Sequence, residues 1–346
     1  MRGGLDALIG EVLALKPAER AELLYKVEVR EAEGAFLRER SRLGGPRRCP
    51  RCGCERIARR GHDARGRQRW LRRGCARGFT LDTGGVLSRS HLPAEAWAAF
   101  ARCFCARLTL RECAEECGVS LKTAWFMRVR ACEALRGEVT VFTTGPEDAV
   151  EADEAFLPES FSGNHSRNPG FEPWRAPRRR GGGARERDTL LTVVGSDGSA
   201  DVLVSSSATV AADARGRLAR LAHRGTRVAC EMSSSLGTAA GALGLEVARS
   251  YSGEHALNAL NAVHSALKHF IARFRGVASR RMQRYMWRFC RQASYRGAGG
   301  SRAATSALLS ILAVGRYRTT RRALFREEYA VEARVAVRVA RTSKKG

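Results

Sequence analysis

The stretch that most constrains this chain is Ala149-Val150-Glu151-Ala152-Asp153-Glu154-Ala155-Phe156-Leu157. Apolar residues alternate with acids, which predicts a strand with Glu151 and Asp153 on one face and Val150, Ala152 and Glu154 on the other. A carboxylate partway along a central strand is costly to bury unless it is paired or binds a metal. Phosphoryl chemistry with divalent cations needs such an arrangement, an oxygen ligand held on a rigid strand. A solvated edge strand with ordinary surface acids carries the same pattern, so this stretch alone leaves both readings open.

Charge narrows the choice of partner. The 346 residues hold 61 Lys+Arg against 35 Asp+Glu, a formal charge of +26. That excess implies a polyanion, nucleic acid before any other, because neutralising phosphates releases counterions. The length allows two or three domains and a sizeable core. No apolar run approaches the roughly 20 residues of a spanning helix, and the N-terminus lacks the apolar segment of a signal peptide. No membrane partner is expected, and the place expected for the chain is cytoplasmic. Its 11 Cys are then thiols and metal ligands rather than a disulfide framework. Those at 103, 105, 113, 117 and 132 fall on helical apolar positions, where Cys behaves as a small buried hydrophobe.

Residues 1–43 read as a helical hairpin, with Leu5, Leu8, Ile9, Val12 and Leu13 in one stripe and Pro17 opening the second helix. Residues 44–88 read as a zinc-ribbon-like module. Cys49-Pro50-Arg51-Cys52-Gly53 is half of a zinc knuckle, with two thiolates spaced to face one ion. The second half, around Trp70 to Phe79, supplies Cys75 alone, and Arg72 stands where the other thiol belongs. Cys49, Cys52 and Cys75 are therefore the zinc candidates. Cys54 or His62 could fill the fourth vertex, although Cys54 sits close to Cys52. A zinc-bound ribbon and one that has lost its metal both remain open. Twelve Arg and three acids between 44 and 82 make this region a DNA-facing candidate under either reading.

Residues 89–142 read as a helix-turn-helix. One helix holds Trp97, Phe100 and Cys103, a second runs from Leu110 to Cys117, and Gly118 makes the turn. Val119 plugs the core and Ser120 caps a third helix that runs to about Leu135. Any three-helix bundle shares this outline; the Gly-Val-Ser turn before a Lys-bearing helix favours DNA. Ser120, Lys122 and Thr123 would then approach base edges, while Arg128 and Arg130 would meet phosphates.

Residues 146–292 follow a short linker (Thr143 to Asp148) and read as an α/β domain. The acidic strand comes first, then a mobile basic loop at 158–187 and a hairpin around Ser196-Asp197-Gly198-Ser199. A helix over 210–223, a strand ending at Glu231, a helix, a strand and a long helix at 255–273 complete it. That order predicts a mixed sheet with the Glu231 strand beside the Asp153 strand, as in ribonuclease-H-like folds. On the long helix Asn261, His264 or Ser265, and Lys268 form one polar stripe, which is ordinarily a solvated face. Residues 293–346 read as a basic extension.

In this order the parts resemble the ISXO-like transposases of bacterial insertion sequences, over about residues 45–292. The most specific segments are Val150 to Phe156 with Glu159-Ser160-Phe161, and Asn261 to Lys268 with Phe274-Arg275-Gly276-Val277-Ala278. The Asn261 segment is similar to the branch whose third catalytic position is Asn, followed by Lys. The resemblance implies a ribonuclease-H-like core using two divalent ions, Mg²⁺ or Mn²⁺, for in-line attack on phosphodiesters. Asp153 matches the first catalytic Asp, and Glu231 is the best match for the second; both would ligate magnesium. Asn261 matches the third, and Lys268 could hold the scissile phosphate. Implied partners are element ends and target DNA, with homo-oligomer formation on DNA and a nucleoid-associated place in a bacterial cell. The family expects Asp where Glu231 stands and a thiol where Arg72 stands. These departures, with the basic tail from Val331 to Val339, raise the alternative of a catalytically inactive remnant that only binds DNA.

Overall fold

The computed structural model describes residues 2–42, 45–46, 48–64, 66–136, 149–160, 187–205, 210–223, 225–231, 235–250, 257–274, 277–294 and 300–315. The expected linker, nearly all of the basic loop and the tail from Val331 lie outside them. The chain divides into two compact units, one of residues 1–134 with 298–318 and one of 135–297 with 319–346.

In the first unit, α1 (Arg2–Ala14) precedes α2 (Pro17–Arg42), with proline at the first helical position as the sequence predicts. The stripe expected to close a hairpin stays in solvent: Leu5, Leu8, Ile9 and Leu13 are 58%, 55%, 47% and 60% exposed. The buried side of α2 packs instead on α3 (Ala94–Cys105) and on a late helix, α10 (Gly300–Val314). Phe36, Trp97, Phe100, Phe104, Leu309 and Leu312 are buried among these helices. Residues 300–314, read from sequence as part of a basic extension, thus form an apolar helix that belongs to this unit. A small antiparallel sheet comprises β1 (Ile57–His62), β2 (Gln68–Arg72) and β3 (Gly78–Phe79). After α3 come α4 (Leu110–Glu116) and α5 (Leu121–Arg136), joined through Gly118 at φ +60. Thr109 and Glu112 close a reciprocal cap on α4. Cys103, Cys113 and Ala124 form the core of this trio, with Val119 packed against it.

The second unit is a mixed α/β layer structure. Its five-stranded sheet runs β6-β5-β4-β7-β8, from β4 (Ala149–Pro158), β5 (Arg187–Gly195), β6 (Ala200–Ser205), β7 (Arg227–Glu231) and β8 (Glu246–Ser250). The first three strands pair antiparallel, and β7 and β8 continue parallel from β4. The alternation in β4 sends Val150 and Ala152 into one core with α6 (Val210–Leu221) and α7 (Ser235–Ala242). Ala155 and Leu157 enter a second core, with α8 (Asn258–Ala272) and α9 (Met282–Ser294). The acidic strand is therefore central, covered on both faces, and not a solvated edge.

Candidate functional site

The three acids of β4 have different surroundings. Glu151 accepts the Leu260 backbone N–H at 2.7 Å, and Glu154 accepts the Ser235 N–H at 3.0 Å. Each carboxylate thus satisfies an unpaired donor in the first turn of a helix, α8 on one face and α7 on the other, where the helix dipole favours negative charge. Asp153 caps neither helix. Burial, above all, raises its pKa to about 6, and the neighbouring Glu231 and Glu154 carboxylates push the same way against the Glu154 backbone N–H.

Glu231 reaches Asp153 through strand register. Residues 149, 150 and 151 pair with 227, 228 and 229, and two more steps bring Asp153 level with Glu231 at the end of β7. Even residues of β7 (Val228, Cys230) are buried, and odd ones (Ala229, Glu231) are partly open. Gly237 permits this end of the strand to lie close to α7: a Cβ there would sit 2.7 Å from Cys230 Sγ. Asp153 and Glu231 thus form a pair of like charges on adjacent parallel strands. Two carboxylates in this arrangement favour a divalent cation or a shared proton.

Asn261 and Lys268 are exposed on α8, and Asn261 directly follows the Leu260 amide held by Glu151. His264, on the same helix, is 8% exposed with no hydrogen-bond partner at Nε2. Burial first, and then Lys268, lowers its pKa to about 4, so the ring is neutral at physiological pH. Sequence reasoning grouped His264 with the polar stripe. Its spacing from Leu260, Leu267 and Ile271 is the signal that places it on the apolar one. Thr192, directly across from Asp153 on β5, is fully buried, and its Oγ1 likewise has no partner. The segments around Glu159 and Val277 also meet: Ser160 and Ser279 exchange two contacts of 2.8 Å, N–H to hydroxyl and N–H to carbonyl.

In the first unit, the ligand atoms of Cys49, Cys52 and Cys75 lie within 4.8 Å of one another and could hold a metal such as zinc. Arg72 fills the remaining side. Its guanidinium contacts the Cys52 and Cys54 thiols and also bonds to Cys75. The Arg56 backbone N–H and then Arg72 hold the Cys54 thiol below its ordinary pKa. His62 is exposed on β1, outside the cluster. The donor set fits a three-thiolate site with a cation beside it, and a tetrahedral four-thiolate site would require Arg72 to leave.

Ser120, Lys122 and Thr123 stand at the start of α5. Ser120 and Lys122 are exposed, and Thr123 donates its N–H to Ser120 Oγ at 3.2 Å. Arg128 is a correction to the sequence reading. It is 4% exposed and donates to the Leu108 carbonyl at 2.7 Å and to Cys113 Sγ at 3.4 Å. Arg130 donates to the Val86 carbonyl at 3.1 Å. The guanidinium of Arg128 is spent inside the unit, on a carbonyl that otherwise accepts only the Cys113 thiol at 3.8 Å, and does not present to a phosphate.

No helix among the described residues is long and apolar enough to cross a membrane. No protein-family model matches the sequence, and no curated protein matches it. Among solved structures, the crystal structure of a pre-cleavage Mos1 transpososome is similar at 12% identity over 60% of this chain and 75% of that one. The TM-score is 0.22, and a likeness at that level carries no argument about fold or function.

Proposed function

We propose that this chain is a DNA transposase of an insertion sequence, with a metal-dependent catalytic centre at Asp153 and Glu231. The observation that carries the reading is the closeness of those two carboxylates, just past the paired stretch of adjacent parallel strands, with Asp153 held above its ordinary pKa by burial and by its neighbours, Glu231 among them. Three antiparallel strands followed by two parallel ones support a ribonuclease-H-like core over residues 146–292. Asn261 and Lys268 are proposed to complete it from α8, as third ligand and phosphate-binding cation. A divalent cation held there, Mg²⁺ or Mn²⁺, supplies Lewis acidity to the scissile phosphate and lowers the pKa of the attacking hydroxyl. The formal charge of +26 and the arginine-rich ribbon at 44–88 support DNA as the partner. Ser120, Lys122 and Thr123 of the helix-turn-helix at 89–142 are proposed to read it. Homo-oligomer formation on DNA, and with it a nucleoid-associated place in a bacterial cell, belong to the same proposal.

The test is cleavage of duplex oligonucleotides carrying the sequences that flank the gene, with Mg²⁺ or Mn²⁺, by the purified full chain. Cation-dependent nicking that disappears in Asp153→Ala is the expected result. Nicking that survives in that variant overturns the assignment.

A second reading, an inactive remnant that still binds DNA, is favoured by Glu231 and Arg72 themselves. A two-metal centre holds its ions roughly 3.5–4 Å apart, and the extra methylene of Glu moves a carboxylate by about a third of that distance. If wild type binds DNA without cutting and Glu231→Asp cuts, the remnant reading holds. If wild type cuts as well as Glu231→Asp, it fails.

A further inference from the structure

α1 is a helix that its own chain does not account for. It has 13 residues, near the length below which isolated helices are marginal in water even when rich in Ala. It also carries Gly3, Gly4 and Gly10, each of which costs helix stability. Nothing nearby calls for small residues there: a Cβ at Gly4 or Gly10 would meet no atom within 4 Å. Among the described residues α1 packs extensively on no other element. Its C-terminal end is nonetheless anchored. The Arg20 guanidinium donates to the Leu13 and Leu15 carbonyls at 3.0 Å each, satisfying acceptors that a helix end leaves open. On α1, Leu5, Leu8, Ile9 and Leu13 stand at i, i+3, i+4 and i+8, one apolar face. On α2, Leu24 and Val27 follow Arg20 at i+4 and i+7 and share the face that Arg20 turns to α1. All six side chains are 46–60% exposed.

Charge and area point to what covers this face. Residues 1–42 hold eight basic and eight acidic residues, so the whole excess of 26 positive charges lies beyond them. On α1, Asp6 and Glu11 flank the stripe, the wrong sign for DNA phosphates or an anionic lipid surface. In a chain of this charge, a neutral segment is where a second copy meets least repulsion. At half exposure the six side chains present roughly 80–100 Å² each, together about 500–600 Å². That matches the largest patches on monomeric proteins and supplies most of the roughly 800 Å² that each partner gives to a stable interface. We propose that α1 and the first turns of α2 form a homodimerisation surface, on which a second copy of this chain packs the same stripe about a two-fold axis, without DNA. Such pairing covers both stripes at once and supplies the packing that α1 lacks. It goes beyond the catalytic reading above and holds whether or not the chain cuts DNA.

The test is sedimentation of the nuclease-treated full chain at high salt, where DNA no longer bridges copies but apolar contacts persist. The expected result is a dimer in the micromolar range, with self-association weakened by roughly tenfold or more in the double variant Leu8→Glu, Leu13→Glu. Leu8→Met with Leu13→Met keeps the stripe apolar and should keep the dimer. Leu121→Glu, at a leucine on α5 that is 49% exposed, should leave it intact. Because the substituted side chains are exposed in the single chain, circular dichroism of the glutamate variant should lose no more than α1. A benzophenone amino acid in place of Ile9 gives an independent reading. Under ultraviolet light it should join an isotopically labelled chain to an unlabelled one, with the adduct on α1 or the Leu24–Val27 segment. Wild type that stays monomeric, a dimer that survives Leu8→Glu with Leu13→Glu, or adducts confined to one chain overturns the proposal. So does a monomer that floats with anionic vesicles, which would assign the stripe to a lipid surface.

Discussion

Replacing Asp153 by Asn removes one negative charge from the middle of the sheet and keeps the shape of the side chain. The aspartate's pKa is raised from 3.8 to about 6, so the folded state holds its proton more tightly than the unfolded chain does. Below pH 4 the group is protonated in both states and contributes nothing. As pH rises from about 4 to 6 the unfolded chain releases the proton first, and stability falls; above 6 the full cost is present. Two units at 1.36 kcal/mol each would give about 3 kcal/mol, an upper bound that solvent at this half-open site reduces to roughly 1–1.5 kcal/mol. Asp153→Asn should therefore stabilise the cation-free chain at pH 7.5 by about that amount, a rise in Tm of roughly 2–5 °C for a unit of this size. The gain should vanish near pH 4. Millimolar Mg²⁺ or Mn²⁺ should raise the Tm of wild type at pH 7.5 and leave the variant unmoved, since only the native carboxylate binds the ion. Calorimetry across pH 4–8, with chelator and with cation, reads both effects. A variant that is less stable than wild type at pH 7.5, or that gains as much from cation as wild type, would refute the reasoning.

Arg72→Cys should convert the three-thiol cluster into a four-thiolate site, so metal analysis after extensive dialysis should find close to one zinc per chain in the variant and less in wild type; equal contents would mean that Arg72 does not hold the fourth corner. Arg128→Ala leaves the Leu108 carbonyl only the weak Cys113 thiol donor and should destabilise the first unit by about 1–3 kcal/mol in denaturant unfolding. Lys122→Ala should leave stability unchanged but reduce the salt dependence of DNA binding by about one ion; a normal Arg128→Ala fold with a reduced salt slope would reverse this assignment. Gly237→Ala drives a methyl into Cys230 Sγ, so about 1–3 kcal/mol should be lost and largely recovered on adding Cys230→Ala; an additive double variant would refute the close approach.

The sheet was legible because its signals are local. The β4 alternation and the Asp197-Gly198 turn are both readable within a few residues, and so was the turn at Gly118. The Thr109-x-x-Glu112 cap is just as local, written as a reciprocal pair around the start of α4. The part of the site that escaped is non-local. Nothing near Glu151 or Glu154 tells which will meet a helix start, because the helix residues they bond lie 109 and 81 positions away in sequence, respectively. Arg128 looks like a surface cation on a basic helix until the Leu108 carbonyl is placed against it. His264 belongs equally to a polar and an apolar stripe by spacing, and only the docking of α8 between two apolar clusters decides. Arg72 was visible as a gap in a ligand pattern, but its hold on the thiols depends on how β2 brings it back to Cys52.

The two caps on β4 also explain how a destabilising aspartate can be kept in place. Glu151 and Glu154 each hold a helix start, on opposite faces, two residues before and one after Asp153. Charge-assisted bonds of this kind contribute about 1.5–3 kcal/mol each, which exceeds the 1–1.5 kcal/mol assigned above to keeping Asp153 ionised. The bonds also fix position. Leu260 is tied to β4, so Asn261, next in the chain, and His264, one turn further on, cannot slide along the strand without breaking the Glu151 bond. Gly237 lets α7 lie close to Cys230, the residue before Glu231. Each element proposed to carry chemistry is therefore pinned within a few residues of the side chain it presents. Loosening one pin should move the site more than the fold: Glu151→Gln, which keeps an acceptor but weakens it, should lower cation affinity at Asp153 while changing global stability by about 1 kcal/mol or less. Unchanged cation affinity in that variant would show that α8 is held on the sheet by its apolar contacts alone.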